Sequence, residues 1–239
     1  MRPQASYEPK AIRALFDEMA ATYGAINVIS SLGFAARWRH HVVRGLQLAD
    51  APHVVDLMSG MGELCRSVHM YLAPTVRMTA IDISPEMVRR ARTDWPFPVG
   101  IHVGDVLTWE FEPACADAVI CSFGLKTFDH DQQAQLAQRV AHMLRPGGRF
   151  SFVEISVPPA RLLRAVYMFY LNRVIPLIGR MFLGNPANYG MLGVYTREFG
   201  NCGHFAQCLR QQGLEVAQTS YFFGCATGVR GSRPPDNSI

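Results

Sequence analysis

"VVDLMSGMGE", residues 54–63, is the stretch whose reading decides the fold. A run of apolar residues ends on an acid, and within seven residues it has become a turn with two glycines and a second acid. This reads as a buried strand ending at Asp56 and Leu57, a turn made by Gly60 and Gly62, and a helix from about Glu63. Glycines at such a turn let the backbone approach a ligand closely. The free N–H groups of the helix start attract a carboxylate or phosphate. The D-x-x-x-G-x-G spacing is weaker than GxGxxG, and alone it is a generic strand-to-helix connection.

Working outward, the same alternation repeats. Apolar strands are expected at 53–57, 78–82, 100–103, 116–122 and 149–155, with helices at about 62–72, 85–93 and 131–144. Strands apolar on both faces and separated by helices imply a mostly parallel, doubly wound α/β sheet, whose ligands lie beyond the carboxyl ends of the strands. Upstream, residues 9–48 read as two or three helices, with a break at Gly24-Ala25. Downstream, a long aromatic segment punctuated by Pro and Gly suits a helical lid, followed by a helix and a final hairpin. The expected layout is an N-terminal helical cap at 1–50, the α/β core at 51–156, a lid at 157–200, a closing helix and hairpin at 201–231, and a disordered tail, "SRPPDNSI", at 232–239.

Four strand ends then carry polar residues in order. "MTAIDISPEMVRRA" ends its strand on Asp82, 26 residues beyond Asp56, where an acid can hold a ribose diol, and Ser84 and Pro85 start the next helix. "VGDVLTWEF" puts Asp105 at the third tip, within reach of an adenine amine. "CSFGLK", beginning at Cys121 and Ser122, stands at the fourth, where a substrate would enter.

Composition narrows the partners. The 239 residues hold 23 Lys+Arg against 19 Asp+Glu, scattered rather than gathered into a basic stripe, so no nucleic acid is expected. The six cysteines lack CxxC spacing, and "MRPQASYEPK" lacks the apolar core of a secretory signal, so a reducing cytoplasm is expected. The most apolar stretch, "AVYMFYLNRVIPLIG" at 165–179, is interrupted by Arg173 and Pro176 and falls short of the roughly 20 residues a bilayer span needs, so no transmembrane segment is expected. His40, His41 and His204 carry no ligand spacing, and no metal is expected.

The four strand-end stretches together resemble the class I S-adenosylmethionine-dependent methyltransferases, in particular the ubiquinone/menaquinone-biosynthesis C-methyltransferase family. "FDEMAATYGAINVISSLGFAARWR", "FGLKTFDH" and "MLRPGGRFSFVEIS" extend the likeness over about residues 12–230. The resemblance implies a seven-stranded Rossmann-like methyltransferase sheet. It implies that Asp56, Gly60 and Gly62 hold the methionine part of S-adenosylmethionine, Asp82 the ribose, and Gly104, Asp105 and Val106 the adenine. Tyr23 would lie near the sulfonium, and Met58, Ile83, Met87 and Ser122 complete the expected cofactor-binding set. In "LRPGG" it implies only a helix-to-strand turn.

The departures concern the methionine end of the cofactor, at Met58, and the acceptor. The family usually has a small residue where Met58 stands and an Asp where Glu63 stands. Its "FGLRN" is here "FGLKT", so Lys126 and Thr127 replace an arginine and an asparagine near the substrate. An arginine offers a planar fork and a lysine a point charge, so the exchange argues for an acceptor other than the standard quinone precursor.

Methyl transfer to an activated carbon needs the ring proton removed, and the candidates are Lys126, His130, Glu154, Tyr189 and Tyr195. Each has a plainer reading: a loop charge, a solvated helix start, a strand-end cap, lid packing. The expected reaction is methylation of a small planar aromatic, heteroaromatic or quinone-like acceptor at carbon. Two alternatives stand beside it: N- or O-methylation in a secondary-metabolite pathway, and a cofactor-binding homologue with a non-methylating reaction. The segment 165–195 offers a face for a homodimer or for peripheral membrane contact.

Overall fold

The computed structural model describes residues 5–46, 48, 52–72, 75–94, 99–181 and 185–236. Three helices come first: α1 (Pro9–Met19), α2 (Tyr23–Ser31) and α3 (Phe34–Arg44). The core follows as β1 (His53–Leu57), α4 (Glu63–Tyr71), β2 (Arg77–Asp82), α5 (Pro85–Asp94), β3 (Gly100–Val103), β4 (Ala116–Ser122), α6 (His130–Met143) and β5 (Leu144–Ile155). Then come α7 (Arg161–Phe169), α8 (Ile175–Met181), α9 (Pro186–Phe199), α10 (Gly203–Gln211), β6 (Glu215–Tyr221) and β7 (Ala226–Ser232).

The strands form one seven-stranded sheet in the order β3-β2-β1-β4-β5-β7-β6. β1 to β5 run parallel, β7 pairs antiparallel with β5, and β6 antiparallel with β7, so the sheet is mixed at its closing edge. Its direction of winding reverses between β1 and β4, the switch point where such sheets bind ligands. Alternate residues feed two cores. Val54, Ala118, Ile120 and Val153 pack with α3 and α4, while Val55, Val119, Cys121 and Phe152 pack with α6 and α10. Strands with both faces covered need this near-continuous apolar run. All six cysteines are free thiols, five of them buried.

Several boundaries differ from expectation for physical reasons. Gly24 and Ala25 lie inside α2 rather than breaking it; a Cβ on Gly24 would stand 3.0 Å from Met61 Cε, so the glycine lets the helix approach the turn after β1. The break falls instead at Leu32 and Gly33, both left-handed, with φ of 49° and 80°. "LRPGG" belongs to β5. Leu144 pairs with Ala116, residues 145–148 bulge out around Gly147 at φ 76°, and Arg149 rejoins beside Ala118.

The tail expected from residue 232 is held at its start. Ser232 closes β7, and the Arg233 guanidinium donates to the carbonyls of Leu144 at 2.8 Å and Ala141 at 3.4 Å. Residues 237–239 of that tail and the expected boundary at 50–51 lie outside the described residues. Finally, Arg173 and Pro176 do not interrupt the apolar stretch. A π-helical turn at Tyr170–Val174 widens the helix ahead of the proline, which has no N–H to give, and the segment Arg161–Met181 continues for 21 residues. By length and composition alone it could cross a membrane.

Candidate functional site

Four strand ends converge on a cleft of about 810 Å³. After β1, Met58 takes φ 52° and Gly60 φ 55°, and the Ser59 N–H donates to the Ile81 carbonyl at 3.0 Å. The β1 and β2 ends are then joined through one side chain. Asp82 accepts from the Gly60 N–H at 2.8 Å and from the Ser84 N–H at 2.9 Å. Burial pushes the Asp82 carboxyl up to about 6, against the pull of those two N–H donors. Ser84 caps α5 through the Met87 N–H at 3.1 Å, which fixes Ile83 and Met87 on the cleft wall.

The β3 end is shaped by Gly104. Any Cβ there would meet the Trp109 ring at 2.5 Å, and its N–H donates to the Asp82 carbonyl at 2.9 Å. Asp105 folds back on its own turn, accepting from the Leu107 N–H at 2.9 Å, and lines the cleft with Val106. At β4, Phe123 takes φ 65° and Gly124 follows, so close to the first tip that a Cβ would sit 2.6 Å from Met58 Cβ. Two non-glycine residues in the left-handed region, Met58 and Phe123, thus face each other across the switch point, where strain is characteristic of functional turns.

The cover comes from the N-terminus. Tyr7, Ile12, Phe16 and Tyr23 line the cleft, and the Tyr7 carbonyl accepts from Gln132, part of the capping box that starts α6. Burial, with Glu63 adding to it, pushes the Tyr23 phenol up, so it stays a hydrogen-bond donor. Arg39 lies with its guanidinium 5.1 Å from the Phe123 ring centre, 3.4 Å from Ser122 Oγ and 3.9 Å from Glu63.

The cleft suits an adenosyl donor with an amino-acid end. It offers acids at the second and third tips, a glycine turn opening α4, and Ser59, whose buried Oγ has no partner among the described residues. Tyr23, Arg39, Met58, Gly60, Asp82, Ile83, Met87, Gly104, Asp105, Val106 and Ser122 all line it. Asp56 and Gly62 do not. Asp56 is fully buried behind the turn, with one oxygen 3.5 Å from Cys65 Sγ and the other without a partner among the described residues, and burial pushes its carboxyl well above the usual range. Gly62, at φ 81°, caps α4 and shapes the loop from outside.

A second cavity of about 1330 Å³ adjoins the first, and Tyr23 and Phe123 line both. Its buried lining includes Ile26, Lys126, Leu171, Tyr189 and Thr196, and its exposed lining Leu32, Val166 and Phe222. Lys126 sits in the short helical turn Leu125–Thr127, and its ammonium donates to Glu154 at 2.8 Å and to the Phe123 carbonyl at 2.9 Å. Thr196 Oγ1 is buried and has no partner among the described residues.

The expected bases are therefore dispersed. Glu154 is fully buried and lines neither cavity; it accepts from the Lys126 ammonium, the Lys126 N–H at 3.0 Å and the Ile155 N–H at 2.7 Å, so it neutralises the lysine instead of facing substrate. His130 starts α6 and stacks on His204 with ring centres 4.1 Å apart, away from both cavities. Tyr195 donates to the Ser6 carbonyl at 2.7 Å and packs edge-on against Tyr7 at 5.7 Å, so it holds the N-terminal segment. Tyr189 lines the second cavity, its hydroxyl 2.7 Å from Thr22 Oγ1.

Arg39 is the chief residue that the sequence reading missed. Its signal was available: it occupies the apolar phase of α3 with Ala35, Trp38, Val42 and Val43, where a cation needs a reason. Tyr7, Phe16 and Phe123 gave no such signal.

Comparison with known proteins bears directly on this site. The model of the ubiE/COQ5 methyltransferase family matches residues 4–232. The chain belongs to that family. A demethylmenaquinone methyltransferase of Deinococcus radiodurans is 30% identical over 224 residues, covering 91% of this chain and 90% of its own. The ubiquinone/menaquinone biosynthesis C-methyltransferase UbiE of Geobacter sulfurreducens is 28% identical over 231 residues, covering 93% and 88%. Among solved structures, a putative methyltransferase of Haloferax volcanii, in complex with its Trm112 activator, superposes with a TM-score of 0.64 at 18% identity, covering 92% and 97%. It shares the fold. The protein is thus an S-adenosylmethionine-dependent methyltransferase on a Rossmann-like sheet.

Proposed function

We propose that the first cleft holds S-adenosylmethionine and that the second cavity holds a planar, largely apolar aromatic or quinone-like acceptor, methylated at carbon. The observation that carries this is the shared wall: Tyr23 and Phe123 line both cavities, so donor and acceptor meet there. Asp82 accepts from the ribose hydroxyls, Asp105 from the adenine amine, and Ser59 and the Gly60 turn take the amino-acid end. The donor supplies an electrophilic methyl on a sulfonium. Positioning is the protein's main contribution, and proximity can supply roughly 7–11 kcal/mol.

The acceptor side is apolar except at its depth. Lys126 spends two of its three N–H donors on Glu154 and Phe123, leaving one for an acceptor oxygen. The unpartnered Thr196 hydroxyl is the second polar group there. A phenolate-like oxygen held by Lys126 raises electron density on the ring carbon. The carbon–methyl bond forms as the sulfur–methyl bond breaks, the sulfur keeping the bonding pair, and on rearomatisation the ring proton passes through water to the ring oxygen, leaving a neutral methylated phenol. Relatives named for demethylmenaquinone and for ubiquinone/menaquinone support a quinone-like ring, while lysine in place of the family's arginine supports a different ring substituent.

Incubation with methyl-labelled S-adenosylmethionine and a panel of phenols, quinols and heteroaromatics tests this. Label is expected on carbon of an apolar ring. For the accepted compound, Thr196→Val should raise KM about fivefold, the loss of one hydrogen bond, with donor affinity unchanged. No transfer across the panel, or label only on nitrogen or oxygen, rejects the reading.

A further inference from the structure

Three separate segments bring exposed apolar side chains to one place. The helical segment Arg161–Met181 carries Leu162, Val166 and Phe169 about a turn apart and, two turns on, Leu177 and Met181, each more than half exposed. Only 17% of its most apolar window is buried. The C-terminus of α2 adds Leu32, 82% exposed. The turn between β6 and β7 adds Phe222 and Phe223, the latter 79% exposed. Both phenylalanines have positive φ, 45° and 55°, so the chain accepts backbone strain to hold two aromatic rings outward.

These patches share a centre. Leu32, Val166 and Phe222 all line the second cavity, and Phe222 stacks on Phe34, another lining residue, with ring centres 4.9 Å apart. Part of the apolar surface therefore borders that cavity.

Charge says what covers it. Between Glu154 and Glu198 the sequence has no Asp or Glu but has Arg161, Arg164, Arg173, Arg180 and Arg197. No acid occurs between Glu18 and Asp50, where α2 and α3 lie, or between Glu215 and Asp236, around the Phe222 turn. Arg161, Arg164, Arg173 and Arg180 are exposed on the same helical segment as the apolar stripe. Exposed apolar side chains with arginines and no carboxylates match an anionic bilayer surface; two copies of such a face would set arginines against arginines. Four arginines in 21 residues, with Leu171 and Ile175 packed inward beside α2 residue Ile26, fit a helix lying along a bilayer surface better than one crossing it.

We propose that this face docks on an anionic lipid surface, with the stripe from Leu162 to Met181 and the Phe222-Phe223 turn in the headgroup region and the second cavity opening toward the hydrocarbon. The route this gives to an apolar acceptor rests on the function proposed above; the docking does not.

Flotation of the full chain with vesicles tests it, using phosphatidylcholine alone and phosphatidylcholine mixed with phosphatidylglycerol. Binding is expected only to the mixed vesicles, weakening as salt rises. Arg173→Gln and Arg180→Gln should each weaken it about fivefold. The double variant Phe169→Asp, Phe223→Asp should lose it at least about tenfold. Neither phenylalanine lines a cavity, so donor affinity and melting temperature should stay at wild-type values and certify the fold. Absence of binding to mixed vesicles, or equal binding by the double variant, overturns the proposal. So does a concentration-dependent dimer that Phe169→Asp dissociates while vesicles stay unbound; the face then belongs to a second copy. Vesicle binding without methyl transfer would overturn the proposed function alone.

Discussion

The two cavities share Tyr23 and Phe123, yet they are made of different material. The floor of the first cleft is set by backbone turns at the strand ends, under a cover of side chains from the N-terminal helices. Its acids are oriented by N–H groups on adjacent turns: Asp82 by Gly60 and Ser84, Asp105 by Leu107. Its shape depends on glycines whose missing Cβ lets Trp109 and Met58 come close. The acceptor cavity is built from side chains on α2, α3, α7 and α9 and on the turn before β7, and its charged group is a lysine neutralised from a neighbouring strand. A backbone site changes little when side chains change, whereas a side-chain site can be remodelled one substitution at a time.

The sharpest way to break this division is at Glu154. Its carboxylate matches a buried ammonium and two N–H groups, so Glu154→Ala leaves Lys126 uncompensated in the interior. Removing one partner of a buried pair costs about 3–5 kcal/mol, which should show as a large fall in the urea midpoint. Below that midpoint, donor affinity should stay within a few-fold of wild type while turnover of the acceptor collapses. A parallel loss of donor affinity would mean that the two sites are one mechanical unit.

Asp82 offers the converse experiment. Asp82→Ala removes the acceptor for the ribose hydroxyls, and isothermal calorimetry should read a loss of roughly 1–3 kcal/mol in donor binding. Unchanged affinity would detach the β2 end from donor recognition and undo the reading of the cleft.

The same contrast explains what the sequence made legible. Strand ends follow one another at fixed spacing, so Asp82, Asp105, Gly60 and the Ser84 cap could be placed from pattern alone, and they fall where the pattern put them. Asp56 shares the pattern but faces the wrong way. A strand sends successive side chains to opposite faces, and spacing does not say which face opens on the cleft. Nothing local in the sequence pairs Lys126 with Glu154, because their contact spans 28 residues and two elements. Tyr195 and His130 fail for a related reason: their partners, Tyr7 with Ser6 and His204, come from the far ends of the chain. The acceptor cavity gathers segments more than 190 positions apart, from Tyr23 to Phe222, and no local signal announces such a convergence.

The finest test of the division is pH. Burial raises the Asp82 carboxyl from 3.8 to about 6, so between those values the folded chain holds a proton that the unfolded chain has lost. With this group alone, stability falls as pH rises through that window, because charging a buried carboxylate costs more in the folded state than in water. Donor binding must move the other way. A carboxylate accepts from two ribose hydroxyls, whereas the protonated acid has lost part of that capacity, so affinity should weaken as pH falls below about 6, approaching roughly tenfold per pH unit. Calorimetric titration of donor across pH 5 to 8, repeated with Asp82→Asn, checks the assignment, since the amide variant should flatten the profile. A slope that persists in the variant would detach the titration from Asp82 and undo the assignment.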